Sequence, residues 1–373
     1  MTVRESVALA HFGLPRRRLL GALVRTLLAR PLPDVDDLAP RGPNEPLLQW
    51  ACRLALEPEP AAEADRLLVL ADQTLAASAR LGQQVVGLDD PAYPDALRQI
   101  PDPPPALWVR GDVETLRWPR MVALVGARAA TPGGLALARA IASGLAQAGV
   151  VVVSGLARGI DSAAHRAALE HGGATVGVLG SSLDRIYPPE HDTLAAAMAR
   201  QGALVTEHLP GTAPLPFHFP LRNRIISGLT AGVVVVEASE KSGSLITAMA
   251  AAEQGREVMA VPGPVGPGRH RGGHALLRDG ARLVEGPDDV LAELEWLPPG
   301  QPRRRAGPSL DPGLARELGL EPTVDDFSVD DVVTGTGWPI SRVNARLAAL
   351  ELDGSIQRIG GGRFQGTQNR VLR

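Results

Sequence analysis

The chain has 373 residues, 45% of them hydrophobic, with a formal net charge of −3. That length suits two or three domains with a proper core, and the near-neutral charge confines any grip on a polyanion to a local cleft. The lone Cys52 excludes an intrachain disulfide framework and a cysteine-based zinc site, and no segment reaches the roughly 18 apolar residues of a membrane span. Glu5 and His11 interrupt any secretory pattern in the first residues, so a cytoplasmic protein is expected. Lys241 is the only lysine, so arginine is the default cation and a single arginine says little about bidentate recognition.

Residues 1–85 alternate short apolar runs with proline breaks. Segments 6–14, 16–28, 47–56 and 63–81 carry apolar residues at helical spacing and predict a small helical domain. Its LPRRRLLGAL run is read as packing or interaction surface ahead of a nucleic-acid-binding hairpin, because the basic run is short. Residues 86–118 are rich in proline, which removes amide donors and fixes φ, so they predict an extended strap with an edge strand at 107–109.

From Met121 the pattern becomes regular. Apolar runs at 122–125, 150–153, 175–179, 203–205, 233–236, 258–261 and 282–284 predict strands, with helices at 135–148, 162–170, 194–200, 245–254 and 287–294 between and after them. Such alternation implies an α/β core at 119–298 with a mainly parallel sheet covered on both faces. Gly149, Gly172, Gly202 and Gly255 stand where a left-handed residue would close each helix. Residues 299–322 read as a linker. Residues 323–373 read as a winged helix: a short helix at 329–333, a TGTG turn, a helix at 339–352, and a hairpin around three glycines. From Thr323 onward six arginines stand against six acids, which ranks protein contact above DNA contact for this module.

Five loops converge at the carboxyl edge of such a sheet, where open α/β folds bind ligands. The most telling lies in VVVVSGLARGIDSAAH at 150–165, where Ser154, Gly155 and Arg158 follow a buried strand and a helix starts near Asp161. Asp161 and His165 share a helix face; a helix cap and a packed histidine are preferred over an acid–base or metal pair. VGAR places Gly126 and Arg128 after the first core strand, yet lacks the glycine spacing and the ribose-binding acid of a dinucleotide fingerprint. LGSSLDRIYPPEH offers the amides of Gly180 and Ser181. The segment 207–224 reads as a long loop that sets Phe217, His218 and Phe219 beside Arg222, Asn223 and Arg224, a suitable set for stacking bases and pairing phosphates. Its other reading is an aromatic plug with arginines paired to Glu207 or Glu237, with Phe219 turned inward and Arg222 or Arg224 partly structural. EASEKSGSLITA opens a helix at Gly243 and Ser244, with Lys241, Ser242 and Thr247 around an anion nest.

These pieces, together with HFPLRNRIISGL, AAEQGREVMAVPG and GARLV, resemble the DNA-processing protein A (DprA/Smf) family in order and spacing over roughly residues 90–373. The helical N-terminal region resembles it only loosely, where a sterile-alpha-motif-like domain is common. The resemblance implies an extended Rossmann core and a homodimer that binds single-stranded DNA, protects incoming strands in natural transformation and loads the RecA recombinase. It implies DNA contacts at Gly126, Arg128, Ser154, Gly155, Phe219, Arg222, Asn223, Arg224, Lys241, Ser242, Gly243 and Ser244, with no cofactor and no metal. Pro214, Leu215 and Pro216 stand where some members carry a basic residue. An enzymatic alternative is a nucleotide phosphoribohydrolase of the lysine-decarboxylase-like group. SGSLITAMAAAEQ sits at the place of that group's catalytic helix, but its nearest glutamate, Glu253, lies far along it.

Overall fold

Runs of valine fix the sheet, because side chains branched at Cβ are stiff and pack well on a pleat buried from both sides. The computed structural model describes residues 1–11, 45–55, 58–266, 268–296, 312–320, 327–358 and 363–366. Two compact units emerge, Met1–Glu295 and Trp296–Arg373.

In the first unit nine described strands form one sheet in the order β1-β2-β6-β5-β4-β3-β7-β8-β9. They are β1 (Gln84–Gly87), β2 (Ala106–Gly111), β3 (Met121–Val125), β4 (Val151–Ser154), β5 (Thr175–Val178), β6 (Ala203–Thr206), β7 (Gly232–Val235), β8 (Glu257–Ala260) and β9 (Arg282–Leu283). Strands β3 to β9 run parallel, while β2 lies antiparallel between β6 and β1. Residues 107–109 are therefore one strand in from the edge, which β1 occupies. The chain lays β3, β4, β5 and β6 outward on one side, then returns to place β7 against β3. That reversal opens a crevice beyond the carboxyl ends of β3 and β7.

Alternate residues of each strand serve the two faces. On one face Ala123 and Val125 of β3 join Val153, Val178 and Val235 of the neighbouring strands, with Ile225 and Ile226, in one core. Helices α5 (Pro132–Gln147), α6 (Ile160–Glu170), α7 (Asp192–Gln201), α8 (His218–Gly228), α9 (Gly243–Glu253), α10 (Arg271–Arg278) and α11 (Pro287–Glu293) alternate with the strands. The N-terminal helices α1 (Val3–Ala10), α2 (Leu47–Leu54) and α3 (Pro60–Arg80) do not stand apart from the sheet: Val7, Leu9, Leu48, Trp50 and Leu67 share a core with Trp108 and Leu204. A short helix α4 (Asp95–Arg98) lies between β1 and β2, and buries Leu97 in the core that holds Ala123 and Val125. The expected helix at 16–28 and the LPRRRLLGAL run lie outside the described residues, as does most of the linker.

Gly149, Gly172 and Gly255 take left-handed φ values of 71°, 72° and 67° at helix ends, as their positions predict. Gly202 does not; its φ is −174°, and it is small because a Cβ there would collide with the Thr175 carbonyl.

The second unit contains α12 (Pro312–Glu317), α13 (Val329–Thr336), α14 (Ile340–Leu352) and the antiparallel pair β10 (Ile356–Arg358) and β11 (Phe364–Gly366). Phe327, Val332, Val343, Leu347 and Phe364 form its own core. The TGTG segment is not all turn: α13 runs to Thr336, and only Gly337, at φ 67°, turns the chain.

Candidate nucleic-acid interface

The helix α9 starts at the crevice, and its sequence explains how. Ser242 caps it by accepting from Ser244 N, and its Oγ lies 2.7 Å from Ser244 Oγ. Two small polar residues thus hold the first turn, leaving backbone N–H groups facing outward. A Cβ at Gly243 would meet open space, so the backbone here is approachable.

Helix α8 supplies the next wall. The segment 207–224 is not a continuous loop: residues from His218 onward are helical. Asn223 ties the two helices by donating from Nδ2 to Gly243 O at 3.2 Å. Arg222 is buried, and its guanidinium donates to Gly155 O at 3.0 Å and to Val178 O. It bridges the loops after β4 and β5. Burial pushes its pKa down to about 10, with Asp161 opposing that shift. A Cβ on Gly155 would collide with this guanidinium, so that glycine makes room for an internal cation.

Asp161 does not cap α6, whose N-cap is Gly159. It sits in the first turn and reaches back, accepting from Gly155 N at 3.0 Å and Ala157 N at 3.4 Å. Burial raises its pKa, while Arg222 and those amides oppose the rise. His165 is packed: its Nδ1 lies 2.7 Å from Thr175 Oγ1, whose proton goes to Val152 O, so the imidazole is the donor. Ser154 is fully buried and spends its hydroxyl on Leu124 O at 2.6 Å.

Arg128 is exposed at the crevice mouth, with its guanidinium 5.5 Å from the Phe219 ring centroid. Phe219 turns inward, half-buried, against Gly180, where a Cβ would lie 2.9 Å from the ring. Tyr187 stands 5.5 Å from the same ring. Phe217, by contrast, is 52% exposed.

Together Gly126, Arg128, Phe219, Arg222, Asn223, Ser242, Gly243 and Ser244 line one cavity of about 320 Å³, with Asp161 the single lining carboxylate among the described residues. Gly126 lines it through its backbone; the space a Cβ would take is filled by Ile160. Arg158, paired with Glu190, lines a small adjoining hollow with Gly155, Tyr187 and Phe219. Lys241 is exposed on the same loop but does not line the cavity.

Arg224 lies outside this set. It is buried and salt-bridged to Asp102 at 2.9 Å and to Glu207 at 2.6 Å. Burial alone would lower its pKa, but the two carboxylates outweigh that and raise it. Tyr187 and Ile246 are contributors that the loop-by-loop reading did not single out; a rare aromatic in YPPEH was the available signal. Among the described residues no group of three or more His, Cys, Asp or Glu side chains is placed to hold a metal ion, and no helix is long and apolar enough to cross a membrane.

Comparison with known proteins matches residues 84–295 to the family described as DNA recombination-mediator protein A, and residues 299–362 to the DprA winged helix domain. The Escherichia coli protein Smf is 42% identical over 289 residues, 74% of this chain and 76% of the relative. The DNA processing protein DprA of Streptococcus pneumoniae is 46% identical over 209 residues, 56% of this chain and 73% of that protein. The crystal structure of DprA from Streptococcus pneumoniae superimposes with a TM-score of 0.66 at 36% identity, covering 79% of this chain and 98% of that one. DNA processing protein A from Helicobacter pylori, described for its single-stranded DNA binding mode, gives 0.52 at 30% identity over 57% of this chain and 96% of that one. With its core and its winged helix both matched, the chain belongs to the DNA recombination-mediator protein A family, the DprA/Smf proteins.

Proposed function

We propose that this protein binds single-stranded DNA along the crevice between β3 and β7. One observation carries the reading: an exposed cation, Arg128, lies over an aromatic ring beside the open start of α9, so phosphate and base partners meet in one trough. Guanidinium groups pair phosphates and rings stack bases without regard to sequence. The Helicobacter pylori relative, described by its binding mode for single-stranded DNA, supports the same role. On this reading the protein acts as a cytoplasmic homodimer, without catalysis, shielding incoming strands during natural transformation and delivering them to the RecA recombinase.

The test is anisotropy of a labelled oligonucleotide, single- or double-stranded, across a salt series. Preference for the single strand and affinity that falls steeply with salt are expected. Equal binding of both forms, or no salt slope, sinks the proposal. The hydrolase reading needs a carboxylate within reach of a sugar. Asp161, the one lining carboxylate among the described residues, is already held by two loop amides. Base release from nucleoside monophosphates, lost in Asp161→Asn, would reverse this preference.

A further inference from the structure

The start of α5 follows β3 directly, the place where a Rossmann-type fold seats a nucleotide's phosphate. Its first turn, Thr131-Pro132-Gly133-Gly134, is small, and Thr131 caps it by accepting from Gly134 N at 3.0 Å. In this chain an internal anion already occupies that seat. Glu237, just beyond β7, points its carboxylate there, and Oε2 accepts from Thr131 N at 3.0 Å and from Thr131 Oγ1 at 2.7 Å. A Cβ on Gly134 would collide with Oε2, so the turn is shaped around this side chain.

Glu237 is 1% exposed, yet among the described residues nothing donates to its Oε1, and Arg269 Nη1 stands 3.9 Å away. A buried carboxylate with one oxygen unsatisfied costs stability. The fold keeps it at a point where the helix field favours negative charge. Gly133 on α5 and Gly243 on α9 both face open space; what differs is that Thr131, the cap of α5, spends its N–H and hydroxyl on Glu237, whereas Gly243 and Ser244 line the cavity that holds Arg128.

We infer that Glu237 is a built-in anion in the phosphate seat of α5, a specificity-determining residue that closes that seat to free nucleotides and leaves α9 as the open one. This role of Glu237 lies beyond single-strand binding and does not depend on it.

Inorganic pyrophosphate is the probe, titrated calorimetrically into the full-length protein and its variants. Glu237→Ala should bind it about tenfold more tightly than the natural chain, the size of a charge-assisted contact at a helix start. Glu237→Gln keeps the volume and one acceptor oxygen, so it preserves the fold and should show a smaller gain. Adding Arg269→Ala to Glu237→Ala should remove most of the gain, since that cation stands over the seat. Unchanged pyrophosphate affinity in the folded variants overturns the inference, as does a gain that Arg269→Ala leaves intact. Oligonucleotide affinity of the natural chain, measured on the same preparations, reports on the proposed function separately.

Discussion

Arg128, Arg222 and Arg224 carry the same side chain into three fates. Arg128 is exposed over a ring, Arg222 is buried on loop carbonyls, and Arg224 is locked between Asp102 and Glu207. Arg128→Ala should weaken oligonucleotide binding by about 1.5 to 3 kcal/mol, with little change in stability. Arg224→Ala should do the opposite, lowering stability by about 3 kcal/mol because two partly buried carboxylates lose their cation. Anisotropy and urea denaturation of both variants separate the roles; a large affinity loss in a fully stable Arg224→Ala would contradict the assignment. His165 adds a pH dependence. Burial holds its pKa down to about 3, against an ordinary 6.5 in the unfolded chain. Below pH 6.5 the unfolded state takes up a proton that the native state refuses, so stability falls steadily from about pH 6.5 towards pH 3. Urea midpoints across that range should show the slope, and His165→Gln should flatten it. A packed His165 and an arginine paired to Glu207 were among the readings the sequence offered, but the Asp102 partner was not, because it lies 122 residues from Arg224.

At the scale of elements, the two helices that wall the crevice differed in legibility. Helix α9 was evident: SGSLITA places a cap, a glycine and an apolar run in sequence, and the structure starts the helix at Gly243. Ser242→Ala should lower stability by about 1 kcal/mol by removing the cap, and should weaken the oligonucleotide complex as the first turn frays. A variant with unaltered melting and binding would show the cap to be idle. Helix α8 was hidden. Its buried positions mix Ile225 and Ile226 with His218, Arg222, Asn223, Arg224 and Ser227. Apolar periodicity is what marks a helix in a sequence, and here polar residues occupy most of the buried positions and blur it. The same cause misplaced Asp161: aspartate is a favoured cap, but the need to satisfy the amides of Gly155 and Ala157 won. Strands β3 to β8 were read to within a residue or two, because valine runs answer to burial on both faces and little else, whereas β1 (Gln84–Gly87) was not expected.

For the whole molecule, the division at residue 295 separates the crevice from the winged helix. The second unit has its own core, and residues 296–373 set ten arginines against nine acids. A chain ending at Glu295 should therefore fold and hold single-stranded DNA to within about threefold of the full protein, since the deleted part releases few counterions. A tenfold loss or more would give the winged helix a direct part in the grip.

The antiparallel placement of β2 also has a consequence for how the chain is made. Its partner on the sheet side, β6, begins at Ala203, about ninety residues after β2 ends at Gly111. At a synthesis rate of roughly 5 to 20 residues per second, the β1–β2 hairpin waits several seconds to about 20 s at the ribosome before its seat exists. Through that interval Trp108 can already pack on the N-terminal helices and donate to Ser78, but the β6 side of β2 has no strand to pair with. Products cut short before Ala203 should be the ones that clump or recruit chaperones, while those that reach Glu295 should stay dispersed.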